Sequence, residues 1–456
     1  MTTRQQQCFF LFLALLFTLT NAQLSHRATY RDIYTKIPIN ILLLLPSNDS
    51  YKFSTSKILP SLDLAIEDMR DTSYGARFDV KIISDKCDCT SIKAPVNAME
   101  NIYRMRNHTK SFQAVFGPMC DYSLAPIARY APFWNVSVIT VGALAQDFRK
   151  NKNTEYRTLT NIGPTLYWLD RFVSKVFKKF NWKQVIFLFD KDYHEQITNF
   201  NCYLTMASLK TALLNANVSV DYKIRDKQDP RSVETILEEF VGNKFSVVLL
   251  CGSTDFVSEI MIAAHKLGFI NGEYVFINFD LYAQMHSEDR LLRPWKLISA
   301  SKRTRLDDKN NSLKLAYQGL MIVTLKIEDA NGRYRSFQQR MYNRYAQAFR
   351  NESEVNYFVA SFYDAMHIYV KALDQTVSRG NNPNDLSELL RNIWSKKFEG
   401  VTGTINIDTY GDRIGEFVMH DMNPDTFQFE AIISTTINNT DVVLEYNDMS
   451  RPIYWY

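Results

Sequence analysis

The sequence predicts an α/β protein of two doubly wound lobes. Three observations carry that prediction. Short, continuous apolar runs recur along the chain, each is followed by a stretch with apolar residues at helical spacing, and the rhythm breaks near Phe148 and then restarts. Continuous apolar strands separated by amphipathic helices imply parallel sheets covered on both faces. Two such blocks imply two lobes, and 456 residues are enough for each to bury a core.

In the first block, residues 39–45 form an apolar strand, 58–69 a helix, 78–83 a strand and 96–105 a helix; 113–116 and 136–141 are further strands. In the second block Leu169, Phe172, Val173, Val176, Phe177 and Phe180 share one helical face. Strands at 185–189, 218–224, 245–250 and 274–279 then alternate with helices at 202–214, 233–241 and 256–267. Long helices follow at 337–349 and 358–373. Asn381-Asn382-Pro383-Asn384 reads as a polar turn, and Gly400-Val401-Thr402-Gly403 opens a β-rich end with Asn406-Ile407-Asp408 and Glu416-Phe417-Val418. The expected partition is a signal peptide at 1–22, an N-terminal extension at 23–36, lobe 1 from 37–148 with 276–394, and lobe 2 from 149–275 with 395–456.

Residues 1–22 combine a basic start at Arg4, an apolar stretch at 9–17 and a small-residue cleavage site at Thr20-Asn21-Ala22. That is the pattern of a secretory signal, and the apolar run is short for a bilayer span. Cys8 leaves with it. No other run is long and apolar enough to span a membrane, so the mature chain is expected to be exported and extracellular. Seven Asn-X-Ser/Thr acceptors agree: Asn48, Asn107, Asn135, Asn217, Asn310, Asn351 and Asn438. A net charge of +4 argues against a dedicated nucleic-acid binder. Lys302, Arg303 and Arg305 read as a solvated basic loop.

Five cysteines remain after signal removal: Cys87, Cys89, Cys120, Cys202 and Cys251. In an exported chain disulfides are the default, though sequence does not fix their pairing. Cys89 and Cys120 each follow a strand and meet the same edge of a parallel sheet. Cys251 ends a strand and Cys202 starts a helix, so these also share an edge. Cys87 is left over: free, a competitor of Cys89, or a bond to another chain.

Catalytic signatures are missing. There is no Gly-x-Gly-x-x-Gly after the early strands, no phosphate-binding loop and no Gly-x-Ser-x-Gly elbow. His194-Glu195 lacks a second histidine at metal-ligand spacing. Asp190, Asp192 and Glu195 gather after a strand end, where a general acid/base pair can sit; the reading preferred is a solvated loop. No enzyme, metal or organic cofactor is expected.

The most informative stretch is Phe116-Gly117-Pro118-Met119-Cys120-Asp121-Tyr122 and on to Arg129. A strand ends in a Gly-Pro turn, a cysteine follows, and a helix begins. The free N–H groups of a helix start form a ready anion site. This region resembles the extracellular domain of natriuretic peptide receptors, a family of receptor guanylyl cyclases and a clearance receptor. So do Glu273-Tyr274-Val275-Phe276, Arg293-Pro294-Trp295, Ser361-Phe362-Tyr363-Asp364, 398–403, Ile407-Asp408, Gly411-Asp412-Arg413 and Asp421-Met422-Asn423-Pro424. The resemblance runs from about residue 39 to about residue 435.

It implies a type I periplasmic-binding-protein fold, disulfides Cys89–Cys120 and Cys202–Cys251, and a chloride held by the backbone N–H groups of Met119 and Cys120 with the Ser84 hydroxyl. Met119 replaces a family glycine. Tyr122 and Arg129 match family hormone-pocket positions. An acid of the family is Ser91 here, and a His-x-Glu-Phe cluster is Tyr222, Lys223, Ile224 and Arg225, so the second-lobe wall of the pocket is chemically different. The expected function is a peptide-hormone-binding receptor domain, which the resemblance implies to be a homodimer with the ligand between protomers. Ending at Tyr456 without a membrane helix, kinase-like region or cyclase, it is expected to be secreted and to make no cyclic GMP. The alternative is a small-molecule, amino-acid-like binder of the same fold, with the ligand between the lobes.

Overall fold

The computed structural model describes residues 36–446 apart from 90–92, 108–111, 191–200, 225–230, 283–293, 295–313, 327–331, 349–354 and 439–440. The signal peptide and nearly all of the N-terminal extension lie outside the described residues. So do Ser91, Asp192, His194, Glu195, Arg225, Lys302, Arg303, Arg305, Asn310 and Asn351.

The first sheet has five parallel strands in the order β2-β1-β3-β4-β5: β1 (Ile37–Leu45), β2 (Phe78–Lys86), β3 (Ala114–Phe116), β4 (Ser137–Thr140) and β5 (Leu159–Asn161). β1 lies inside the sheet, between β2 and β3, and its apolar run is explained by burial on both faces. Ile41, Leu43 and Leu45 enter one core, while Leu42 and Leu44 enter another on the opposite face. Helices α1 (Thr55–Met69), α2 (Ala94–Asn107), α3 (Asp121–Trp134) and the short α4 (Asp147–Lys150) connect these strands.

The second sheet has eight strands. Five are parallel: β6 (Gln184–Phe189), β7 (Ser219–Ile224), β8 (Val247–Cys251), β9 (Val275–Phe279) and β10 (Leu320–Leu325). Three antiparallel strands extend it: β13 (Phe417–Met422), β14 (Phe429–Asn438) and β15 (Asp441–Tyr446). Helices α5 (Leu166–Lys179), α6 (Asn201–Asn215), α7 (Val233–Phe240) and α8 (Thr254–Lys266) belong to this half. A separate hairpin pairs β11 (Lys397–Gly400) with β12 (Gly403–Asn406).

Helices α9 (Arg333–Ala348), α10 (Tyr357–Ser378) and α11 (Leu386–Ile393) return to the first lobe. Tyr363 Oη donates to Asp68 on α1 at 2.6 Å, and the Arg344 guanidinium pairs with Glu67 at 2.6 Å. The Tyr369 ring meets Phe116 edge-on, 5.8 Å between centroids.

Two lobes are present, but their boundaries differ from the expected ones. β5 belongs to the first sheet, so the first lobe runs past 148 to Asn161. β9 and β10 belong to the second sheet, so 276 falls inside a lobe 2 strand rather than opening lobe 1. The physical reason is length: three residues, Leu159–Asn161, are too few to show a period, and β10 is joined to β9 in parallel register, which only a long crossover permits.

Candidate functional site

The turn after β3 is built by close backbone approach. Gly117 has φ +84°, and a Cβ there would lie 2.5 Å from the Leu44 carbonyl oxygen. Gly117 N–H donates to Ile139 O at 2.8 Å, and Thr140 Oγ1 donates to Pro118 O at 2.6 Å. Gly142 is pressed against the far side: its Cβ would sit 2.0 Å from Met119 O. The turn is thereby clamped between the ends of β1 and β4.

Cys120 caps α3, and its carbonyl accepts from Ser123 N and Leu124 N. Asp121 opens the helix. Its Oδ1 accepts from Leu144 N at 3.1 Å and its Oδ2 from Ala145 N at 2.9 Å, tying the helix start to the loop after β4. Burial pushes its carboxyl pKa up to about 6, against the lowering effect of these N–H groups. Asp121 lies in the motif stretch, but sequence did not assign it this role.

Met119 and Cys120 are buried, and among the described residues no acceptor takes their backbone N–H groups. Ser84 is exposed on β2. It stands in register with Leu43, which is itself in register with Phe116, so Ser84 shares the sheet face that carries the turn.

Both bonds favoured from sheet edges are present. Cys89–Cys120 joins Cα atoms 5.2 Å apart and Cys202–Cys251 joins Cα atoms 5.5 Å apart. Cys87 is free and buried, and burial pushes its thiol up to about 12. It is therefore neither a competitor of Cys89 nor exposed for a bond to another chain.

Tyr122 and Arg129 lie seven residues apart on α3, so they share a face about 10 Å apart along the axis. Pro126 and Phe133 continue the same stripe. Tyr122 is 65% exposed and Phe133 76%. Arg129 is already held within the chain: Nε donates to Glu155, Asp147 lies 3.9 Å away, and the guanidinium stands 5.2 Å from the Tyr156 ring centroid. Tyr130 on α3 and Val96, Met99 and Tyr103 on α2 are also exposed.

On the second lobe, β7 carries Tyr222, with Lys210 Nζ 4.2 Å from its ring. Lys223 Nζ lies 4.9 Å from the Phe240 ring, and Ile224 is half-buried. Asp190 is buried, not solvated as expected: it stays against the sheet because its N–H donates to Cys251 O at 3.0 Å. Asn48, Asn135 and Asn217 are exposed; Asn107 and Asn438 end a helix and a strand, and their side chains lie outside the described residues. Among the described residues no three His, Cys, Asp or Glu side chains gather as a metal site, and no helix is long and apolar enough to cross a membrane.

Comparison with known proteins bears on the family and the fold. The model of the receptor family ligand binding region matches residues 57–425. Atrial natriuretic peptide receptor 3 of Rattus norvegicus is 27% identical over 398 residues, covering 86% of this chain and 70% of that protein. Atrial natriuretic peptide receptor 2 of the same species is 27% identical over 430 residues, 91% of this chain but 38% of that longer protein. Among solved structures, an ABC transporter substrate-binding protein from Desulfitobacterium hafniense in complex with Leu superposes with a TM-score of 0.56 at 15% identity, covering 87% of this chain and 100% of the other. A solute-binding protein from Rhodopseudomonas palustris BisB5 gives the same TM-score of 0.56 at 14% identity, covering 87% of this chain and 97% of its own. These two show the fold alone, and it is the expected periplasmic-binding-protein type. With most of its length matched, the chain belongs to the receptor family ligand binding region, and natriuretic peptide receptors are its relatives.

Proposed function

We propose that this chain is an extracellular, non-catalytic receptor domain that binds a peptide hormone between two copies of itself. The observation that carries the reading is the outward stripe of α3, where Tyr122 and Arg129 hold the motif positions of a hormone pocket and remain accessible. An exposed ring offers apolar area with one polar tip, and an arginine grips carboxylates or carbonyls. The exposed residues Val96, Met99, Tyr103, Tyr130 and Phe133 form the pairing face, since apolar side chains gathered on one surface mark an interaction site.

The unaccepted N–H groups at Met119 and Cys120 support a chloride there, next to the helix start. Ser84 supplies the hydroxyl. Chloride acts as a structural anion that fixes the first turn of α3, and through it Tyr122. The substituted second-lobe positions, Tyr222 and Lys223 among them, shift preference toward a peptide more acidic or aromatic than the family's usual one.

A cavity between the lobes, lined by Tyr357, Thr402, Thr404, Arg413 and Glu416, has a volume of about 40 Å³. That is below the several hundred of a small-molecule pocket, whereas another concavity, at the crossing segments and lined by Arg149, Tyr167, Trp168, Lys396, Asp408 and Tyr410, has about 680 Å³, so the titration rather than cavity volume separates the two readings. The deciding experiment titrates the secreted protein with atrial natriuretic peptide and with free leucine, in chloride and in gluconate buffers. Saturable peptide binding that weakens in gluconate is expected. Leucine binding without peptide binding would move the site to the cleft and overturn the reading.

A further inference from the structure

The proposed hormone-binding surface leaves a second concavity unused. It is a groove of about 720 Å³ between α5 and α6, toward the amino-terminal ends of β6 and β7. Its floor is apolar and aromatic, with Phe177, Trp182 and Tyr167 beside Ala212 and Val218. Its walls carry five cations: Lys150, Arg171, Lys175, Lys178 and Lys183.

Arg171, Lys175 and Lys178 follow each other at i, i+4 and i+7 on α5, one helical face spread over about 10 Å. Lys183 continues the row past the helix end. Against them stand two carboxylates. Asp170 lies at the base, buried, bonded to Ser208 Oγ at 2.7 Å and pushed up to about 7 by burial. Asp441 on β15 bridges Arg171 at 2.7 Å and Lys175 at 2.8 Å. No ion pair occupies Lys150, Lys178 or Lys183 among the described residues, and all three are exposed.

We propose that this groove binds a linear sulfated polysaccharide of the cell surface or matrix. Cations strung along a groove, rather than gathered at one point, fit a chain with repeated anionic groups. The aromatic floor suits the apolar faces of sugar rings. Asp441 acts as an internal counter-ion that such a chain displaces from Arg171 and Lys175. The inference rests on the extracellular reading but not on the hormone contacts Tyr122 and Arg129, which lie on α3 and do not line this groove.

The test is retention on immobilised heparin under a salt gradient, with purified protein before and after enzymatic removal of N-glycans. The triple variant Lys150→Ala, Lys178→Ala, Lys183→Ala should bind about tenfold more weakly, the expected sum of three exposed ion pairs. Asp441→Asn should bind more tightly, because it frees two cations. A control triple with the same charge loss elsewhere, Lys81→Ala, Lys244→Ala, Lys266→Ala, should elute near the unaltered protein. Equal losses in both triples would reduce the effect to net charge and overturn the site. Equal competition by poly-glutamate and by heparin would overturn the glycan as occupant. Peptide titration of the groove triple separates this result from the hormone reading: a variant that loses heparin but keeps peptide binding supports the groove, and one that loses both through misfolding is recognised by failed secretion and replaced by the single variant Lys183→Ala.

Discussion

Asp121 decides how the helix under the candidate ligand face begins. Its carboxyl accepts two backbone N–H groups from the loop after β4, yet burial pushes its pKa in the fold up to about 6, above the ordinary aspartate value of 3.8. The fold therefore keeps this proton more tightly than the unfolded chain does. The stability it contributes is full below about pH 4 and fades as pH rises through about 6. Asp121→Asn removes that titration. Urea unfolding at pH 4.5 and 7 should show the gap between variant and unaltered protein changing by an amount on the order of 2 kcal/mol, with the unaltered protein gaining at acid pH. A constant gap would mean that the carboxyl is solvated. Gly142 tests the same turn from its other side. Alanine there places a Cβ 2.0 Å from Met119 O, backbone that has no room to move, so Gly142→Ala should destabilise by roughly 1–3 kcal/mol and lower any chloride dependence of peptide binding. Differential scanning calorimetry of the secreted variant reads the first effect.

At the scale of elements, α3 does two jobs with two faces. Leu124, Ile127, Ala128 and Ala131 fill the core beneath it, while Tyr122, Pro126, Arg129 and Phe133 point away. Exposing Phe133 at 76% and Tyr103 at 67% to water in a monomer is unfavourable, so the face formed by α2 and α3 is expected to be covered by a second copy. Phe133→Ser together with Tyr103→Ser should shift sedimentation from dimer to monomer while thermal unfolding of the subunit changes little, since neither ring packs into the core. A dimer that persists would place the pairing elsewhere. These helices were legible in sequence because strand ends, Gly-Pro and helical spacing coincide there. β14 and β15 were not, because neither carries the continuous apolar run of the parallel strands: β14 mixes Glu430, Ser434, Thr435 and Thr436 among its apolar residues, and β15 is a mostly exposed edge strand. The aromatic outer stripe was half legible: Tyr122 and Arg129 came from the motif, but which face of α3 points outward depends on α2 and β4, which only the packed lobe supplies.

Across the whole molecule, the chain crosses between lobes after β5, after β10 and after α11, and the sequence rhythm could show the two blocks without showing which later elements return to which block. One junction is pinned by charge. The segment before β13 pairs with β5: Asn161 N–H donates to Gly411 O at 2.9 Å, and Arg413 N–H to Asn161 O at 2.8 Å. Beside it Lys152 Nζ, 1% exposed, donates to Asp412 Oδ1 at 2.9 Å and to Leu159 O at 3.0 Å. Arg149 reaches both Asp408 and Asp412, between the rings of Tyr167 and Tyr410 at 4.1 and 4.2 Å. Taking these groups out of water is costly, and they tolerate it because each is paired. Asp412→Ala leaves Lys152 buried without its carboxylate and should cost about 3–5 kcal/mol in chemical denaturation. Replacing the pair by apolar groups of similar size, Lys152→Met with Asp412→Leu, should cost less than the single change, because no unpaired charge is left behind. If the double variant is as unstable as the single one, the carboxylate is needed for Arg149 and the backbone turn rather than for Lys152, and the junction is held by that second pair.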